Sequence, residues 1–189
     1  MVNNLLDMAR IEAGGVKLTL QWQPLEEIIG AAIGANKQLL HAHIVRVSDL
    51  SRLPLVQFDA MLLERVFSNL LENAAKYTPP GSVISIDAQV KDGDIEVSVA
   101  DNGPGIAPGS EETIFEKFTR GEKESPTPGV GLGLAVSKAI VETHRGRMWA
   151  EQVAGGGARF VFTLPRGEPP SLDLSALEMP EAANDHGPS

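Results

Sequence analysis

Apolar and polar positions repeat with two different periods along this chain, and the changes of period mark its elements. NNLLDMARIEAG, residues 3–14, has apolar side chains at 5, 6, 8 and 11 ahead of Gly14-Gly15, the pattern of the last turns of a helix. VKLTLQW (16–22) alternates as a strand does, and Pro24 opens the helical stretch PLEEIIGAAIGANKQLL, with Glu26 and Glu27 in a first turn whose dipole favours acids. Short strands follow near HIVRVSDL and PLVQF, and Asp59 stands where it caps the amphipathic helix AMLLERVFSNLLENAAKY. SVISIDAQV and DIEVSVAD alternate on either side of KDGD, whose Asp-Gly is a strong hairpin signal. Residues 102–130 read as loop. GLGLAVSKAIVETH is a helix stopped by Gly146, and RMWAEQVA and ARFVFTLP are final strands around GGG. Helices interspersed with hairpin-paired strands predict an α+β fold: a two-layer sandwich whose mixed or antiparallel sheet is covered by helices on one face.

Composition narrows the function classes. At 189 residues and 42% hydrophobic, the chain suits one compact domain with a small appendage. It contains no cysteine, so disulfides and thiolate metal sites are excluded. No apolar run reaches the length of about 18 residues that a membrane helix needs, and the start lacks a signal-peptide pattern, so a soluble, cytoplasmic segment is expected. The net charge of −9 disfavours nonspecific binding to nucleic acid or acidic lipid. Residues 166–189 hold five acidic residues against one basic, and their Pro, Ala and Ser content predicts a disordered acidic tail.

Three stretches carry candidate chemistry. At about 100° per residue, Leu63, Phe67, Leu70, Leu71 and Ala74 share one face of the helix over 60–77, while Asn69, Asn73 and Lys76 share a narrow arc elsewhere. Asparagine carbonyls are hard, neutral oxygen ligands of the kind Mg²⁺ accepts alongside water and phosphate, and Lys76 offers a point charge. Read alone, the same arc also suits an ordinary solvated face. VSVADNGPGIAPG places Asp101 at a strand end before Gly103 and Gly105. A carboxylate accepts only, which suits the amino group of adenine, and the glycines let backbone fold closely around a ring; a plain Asp-Asn-Gly turn explains the stretch as well. TPGVGLGLAVSKAI leads through Gly129, Gly131 and Gly133 into a helix N-terminus, which attracts anions. Its spacing fits neither the dinucleotide fingerprint nor the P-loop.

In this order, the elements resemble the ATP-binding catalytic domain of bacterial sensor histidine kinases, of the superfamily shared with DNA gyrase, Hsp90 and MutL. NLLENAAKYT resembles its N box, DNGPGI its G1 box, IFEKFTRG its F box and GVGLGLAVSKAIVETHRG its G2 box, and the lid wording is closest to potassium-responsive members. The resemblance implies a Bergerat-type ATP-binding fold over residues 16–165. It implies Mg²⁺ on Asn69 and Asn73, Lys76 on phosphate, Tyr77 near the nucleotide, and Asp101 on the adenine amine. Gly103, Gly105 and Ile106 would shape the base pocket, Gly129, Gly131, Leu132, Gly133 and Leu134 the phosphate side, with Thr163 also at the nucleotide. Phe115 and Phe118 would anchor the lid hinge or simply belong to the core, and Arg120 would face phosphate, a partner domain or solvent. The implied cofactors are ATP and Mg²⁺. The implied partners are a phosphoacceptor histidine hairpin and a response regulator.

One departure qualifies this resemblance. The family phosphorylates a histidine in an H-E/D-x-R-T-P-like helix, and none of His41, His43, His144 or His186 has that context. Residues 1–15 are therefore expected to be the end of the hairpin helix, in a catalytic fragment that lacks its own acceptor, from a membrane-bound, dimeric parent. The superfamily's hydrolases carry a glutamate base one turn before the metal asparagine, where this chain has Asn69. That difference favours phosphoryl transfer over attack by water.

Overall fold

The computed structural model describes residues 17–117 and 131–169. The helix expected within 1–15 and nearly all of the tail lie outside them. The elements in order are β1 (Gln21–Gln23), α1 (Leu25–Ala35), α2 (Lys37–Leu40), β2 (Ile44–Val47), β3 (Val56–Phe58) and α3 (Ala60–Tyr77). They continue with β4 (Val83–Lys91), β5 (Asp94–Asp101), a 3-10 turn (Thr113–Phe115), α4 (Gly133–Thr143), β6 (Met148–Gln152) and β7 (Ala158–Pro165).

Five strands form one sheet in the order β2-β4-β5-β7-β6, with β2 parallel to β4 and every other pair antiparallel. The β4–β5 hairpin turns at Asp92 (φ 52°) and Gly93 (φ 86°), the left-handed pair that suits a two-residue turn. Strict alternation along β5 sends Ile95, Val97 and Val99 to the helix layer, with Glu96 and Ser98 on the opposite face. That outer face is covered by its own side chains. Glu96 accepts from Lys91 Nζ at 2.8 Å, and Arg159 pairs with Glu151 at 3.0 Å.

The core lies between the sheet and α1, α3 and α4. Leu63, Val66, Phe67, Leu70 and Leu71 of α3 are fully buried, and Phe67 meets Phe162 of β7 edge-on at 5.6 Å between ring centroids. Asp59 caps α3 as expected, its Oδ1 accepting from Leu62 N at 3.2 Å. Its other oxygen accepts from Thr19 N at 2.9 Å, which fastens the incoming chain to the same point.

Two sequence expectations are corrected. The strand over 16–22 shrinks to Gln21–Gln23, which pairs with β3 in a separate two-stranded ribbon rather than joining the sheet. The long helix over 24–40 breaks at Asn36, whose side chain donates to Ala32 O at 2.9 Å and to Ser68 Oγ at 3.0 Å. A short amide that competes for a helix carbonyl ends the helix locally.

Candidate functional site

α3 packs against the sheet, α1 and α4, and its C-terminal end opens to a cleft. There Asn73 and Tyr77 meet the β5–3-10 loop (Asp101, Gly105, Ile106) and the start of α4 (Gly131, Gly133, Leu134), above a floor of Ala158 and Phe160. Three segments far apart in sequence thus wall one cleft. Among the described residues, no group of three or more His, Cys, Asp or Glu side chains is placed to hold a metal ion. An ion in this cleft would therefore rest on amide oxygens and on oxygens of its own ligand.

The Asp101 end of the cleft is held from behind. Asp101 Oδ1 accepts from Gly103 N at 2.9 Å and from Ala158 N at 3.3 Å. Oδ2 has no hydrogen-bond partner among the described residues, so the carboxylate is oriented with one acceptor to spare. Gly157, at φ +110°, lies so close that a Cβ there would overlap the Asp101 carbonyl oxygen. Gly103 lies against Thr78, whose Cγ2 would stand 2.6 Å from a Cβ at that position. Asn102 Oδ1 accepts from Val83 N at 2.8 Å, tying the same loop to β4.

The Asn73 end is arranged differently. The amide of Asn73 lines the cleft and makes no hydrogen bond with the described residues. Asn69, one turn earlier, is only 6% exposed and does not line the cleft. Its Nδ2 donates to Gly133 O and to Ser137 Oγ, both at 3.1 Å, and the Ser137 hydroxyl donates to Gly133 O at 2.9 Å. Asn73 thus lines the cleft, while Asn69 lies one turn behind it, its Nδ2 tying α3 to α4. α4 has no side-chain cap, which leaves its first-turn N–H groups for an anion.

Other expected residues divide as follows. Lys76 Nζ stands 5.0 Å from the Tyr77 ring centroid, beside the cleft rather than lining it. Leu132 is a core residue, 2% exposed. Thr163 is not at the cleft. It faces Glu96 in the β5–β7 register, on the outer side of the sheet, and its Oγ1 accepts from Arg147 N at 3.1 Å. Assigning it to the nucleotide is corrected on that ground. Phe115 is buried edge-on to Phe160 at 6.4 Å, with Lys138 Nζ over its ring at 5.3 Å. Phe118, Arg120 and Gly129 lie outside the described residues. Sequence reasoning missed Ala158, Gly157, Thr78 and Gln152. Only the Gly155–Gly157 run carried a signal, being longer than a simple hairpin requires.

The chain is 48% identical over 176 residues to the sensor protein KdpD of Escherichia coli (strain K12), a match covering 92% of this chain and 19% of that protein. It is 36% identical over 168 residues to the sensor protein KdpD of Clostridium acetobutylicum, covering 88% of this chain and 19% of that one. The chain thus spans about a fifth of the length of these curated relatives. Among solved structures, full-length ShkA in complex with AMPPNP superposes with a TM-score of 0.75 at 30% identity, over 87% of this chain and 35% of that one. The nucleotide-free catalytic domain of histidine kinase ThkA gives a TM-score of 0.66 at 26% identity, over 80% of this chain and 97% of that one. A model of the histidine kinase-, DNA gyrase B- and HSP90-like ATPases matches residues 58–168, which contain every wall of the cleft, and the chain belongs to that family.

Proposed function

We infer that this domain binds Mg-ATP and transfers the γ-phosphoryl group to a histidine on a hairpin domain of the same kinase. From there the group passes to a response regulator of the KdpE type, in a KdpD-like signalling protein. The observation that carries this reading is one cleft in which an oriented carboxylate faces an amide that has no hydrogen-bond partner among the described residues and a helix N-terminus without a side-chain cap.

The residues divide the work. Asp101 Oδ2 accepts from the exocyclic amine of adenine, with Ile106 and Tyr77 beside the ring. Asn73 would hold Mg²⁺ through its carbonyl oxygen, and the neutral donor set fits an ion that keeps phosphate oxygens and water as its other ligands. When bound, the ion neutralises charge on the β- and γ-phosphates. The first turn of α4, held by Asn69 and Ser137, offers its N–H groups to the same phosphates, and Lys76 adds positive charge nearby. An imidazole nitrogen of the incoming histidine attacks the γ-phosphorus. The bond to the β,γ-bridging oxygen breaks, ADP leaves with that oxygen, and the imidazole proton passes to solvent.

Hydrolysis is the competing reading, and Asn69 weighs against it. At the position of a hydrolase's glutamate base this chain has an amide, buried and tied to α4, that neither accepts a proton nor reaches water. The test uses γ-labelled ATP with the domain alone and with a separately added histidine hairpin from a KdpD-type kinase. Label is expected on the hairpin, with little free phosphate from the domain alone. Steady phosphate release without the hairpin, and none transferred with it, would reverse the assignment.

A further inference from the structure

The loop that reads the base contains Pro104, which has no N–H, followed by Gly105 and Ile106. Ile106 lines the cleft, yet its backbone N–H points away from it, to the end of β6, where Gln152 Oε1 accepts it at 2.8 Å. This contact spans 46 positions in sequence. It exists because position 105 is glycine. The Gln152 amide lies against the Gly105 Cα, so a Cβ there would overlap both Nε2 and Oε1, and the local φ is +81°. Gln152 pairs with Ala158 across the β6–β7 hairpin, and Ala158 N is the second donor to Asp101. One edge of the sheet therefore holds both ends of the base loop, at Asp101 through main chain and at Ile106 through a side chain.

We propose that Gln152 is a positioning residue for nucleotide recognition: by accepting the Ile106 N–H it holds the base loop in its binding conformation before ligand arrives. It touches neither phosphate nor metal, so it acts on affinity for the adenine nucleotide and leaves the transfer step alone. Without the acceptor, the loop between Asp101 and Ile106 samples other conformations. Only the fraction that retains the bound shape then binds, and apparent affinity falls by that fraction. The proposal rests on the nucleotide reading above.

The test compares the whole chain with Gln152→Met, which keeps the side-chain length without the acceptor, and Gln152→Glu, which keeps an acceptor. Amide hydrogen exchange at Ile106, read by NMR without nucleotide, is expected to speed up about tenfold in Gln152→Met, consistent with losing one hydrogen bond, and to stay near wild type in Gln152→Glu. Titration with a non-hydrolysable ATP analogue is expected to show about a five- to tenfold weaker Kd for Gln152→Met, the equivalent of that one bond. Phosphoryl transfer to the added hairpin at saturating ATP should match wild type. Unchanged Ile106 exchange in Gln152→Met overturns the proposal, as does faster exchange with unaltered affinity or a fall in the saturated transfer rate. If the unaltered chain fails to bind the analogue, the nucleotide reading falls first and the proposal with it.

Discussion

The two ends of the cleft are built on opposite principles. At the base end, Asp101 is fixed by Gly103 N and Ala158 N, its loop is tied to β4 through Asn102 and to β6 through Gln152, and Gly157 leaves no space behind it. At the phosphate end, Asn73 has no hydrogen-bond partner among the described residues, α4 has no side-chain cap, and Asn69 and Ser137 supply the inner tie. On the nucleotide reading proposed above, the difference suits what each end would bind. A flat ring is told from its analogues by hydrogen bonds whose partners are already in place, since an oriented acceptor pays little reorganisation on binding. A metal-phosphate group brings its own charge and oxygens, and open donors suffice to receive it.

The sharpest way to break this contrast is Gly157→Ala. A Cβ would meet the Asp101 carbonyl oxygen at a φ that L residues rarely adopt, so a loss of about 3 kcal/mol in urea unfolding is expected; wild-type stability would show that the base end is not tightly packed. Next comes Asp101→Ala. Removing a hydrogen bond to a charged group should weaken binding of an ATP analogue by about 2 to 3 kcal/mol, measured by calorimetry, and equal affinity would remove the base assignment. The two asparagines should then separate by kind of effect. Asn69→Ala is expected to lower stability by about 1 to 2 kcal/mol through loss of its bonds to α4. Asn73→Ala should leave stability within about 0.5 kcal/mol of wild type yet abolish the magnesium dependence of nucleotide binding; matching phenotypes would erase the distinction.

The smallest effect lies away from the cleft. The hydrogen bond from Lys91 holds the Glu96 carboxyl below its ordinary value against the opposing pull of burial, with Gln89 helping. A folded-state value below the unfolded one gives stability that is present above the unfolded value of about 4.3 and is lost as pH falls through the folded one. Glu96→Gln should therefore lower the urea midpoint at pH 7, and the gap from wild type should close toward pH 3. A constant gap across that range would exclude the ionised carboxylate as the source.

What the sequence disclosed depended on how local the cause was. α3 and β5 were legible to the residue, and β4 to within one position, because a cap, a 3.6 period and an Asp-Gly turn all act within a few positions. Asp101 was legible because a strand end followed by two glycines is itself a local pattern. The burial of Asn69 was not legible, because it comes from α4, more than 60 positions later. Thr163 failed for a related reason: a period of two says which residues share a face, and only the β5–β7 register shows that its face lies away from the cleft. Gln152 was invisible, since nothing near it in the chain reports the Gly105 surface it occupies.

The buried imidazole of His144 joins two of these long-range facts. Its Nδ1 donates to Ile140 O at 2.8 Å, and its Nε2 accepts from Asp59 N at 3.0 Å, so the last turn of α4 is pinned to the root of α3. The two helices run antiparallel and share this heel, while their other ends form opposing jaws of the cleft. From Asp59 to Asn73 the arm is about 21 Å at the helical rise. Rocking it by roughly 3° at the heel moves the jaw about 1 Å, a displacement large enough to matter for in-line chemistry. Thr19 N is fastened to that same heel, so the tongs are gripped at the handle by the strand of chain that enters there.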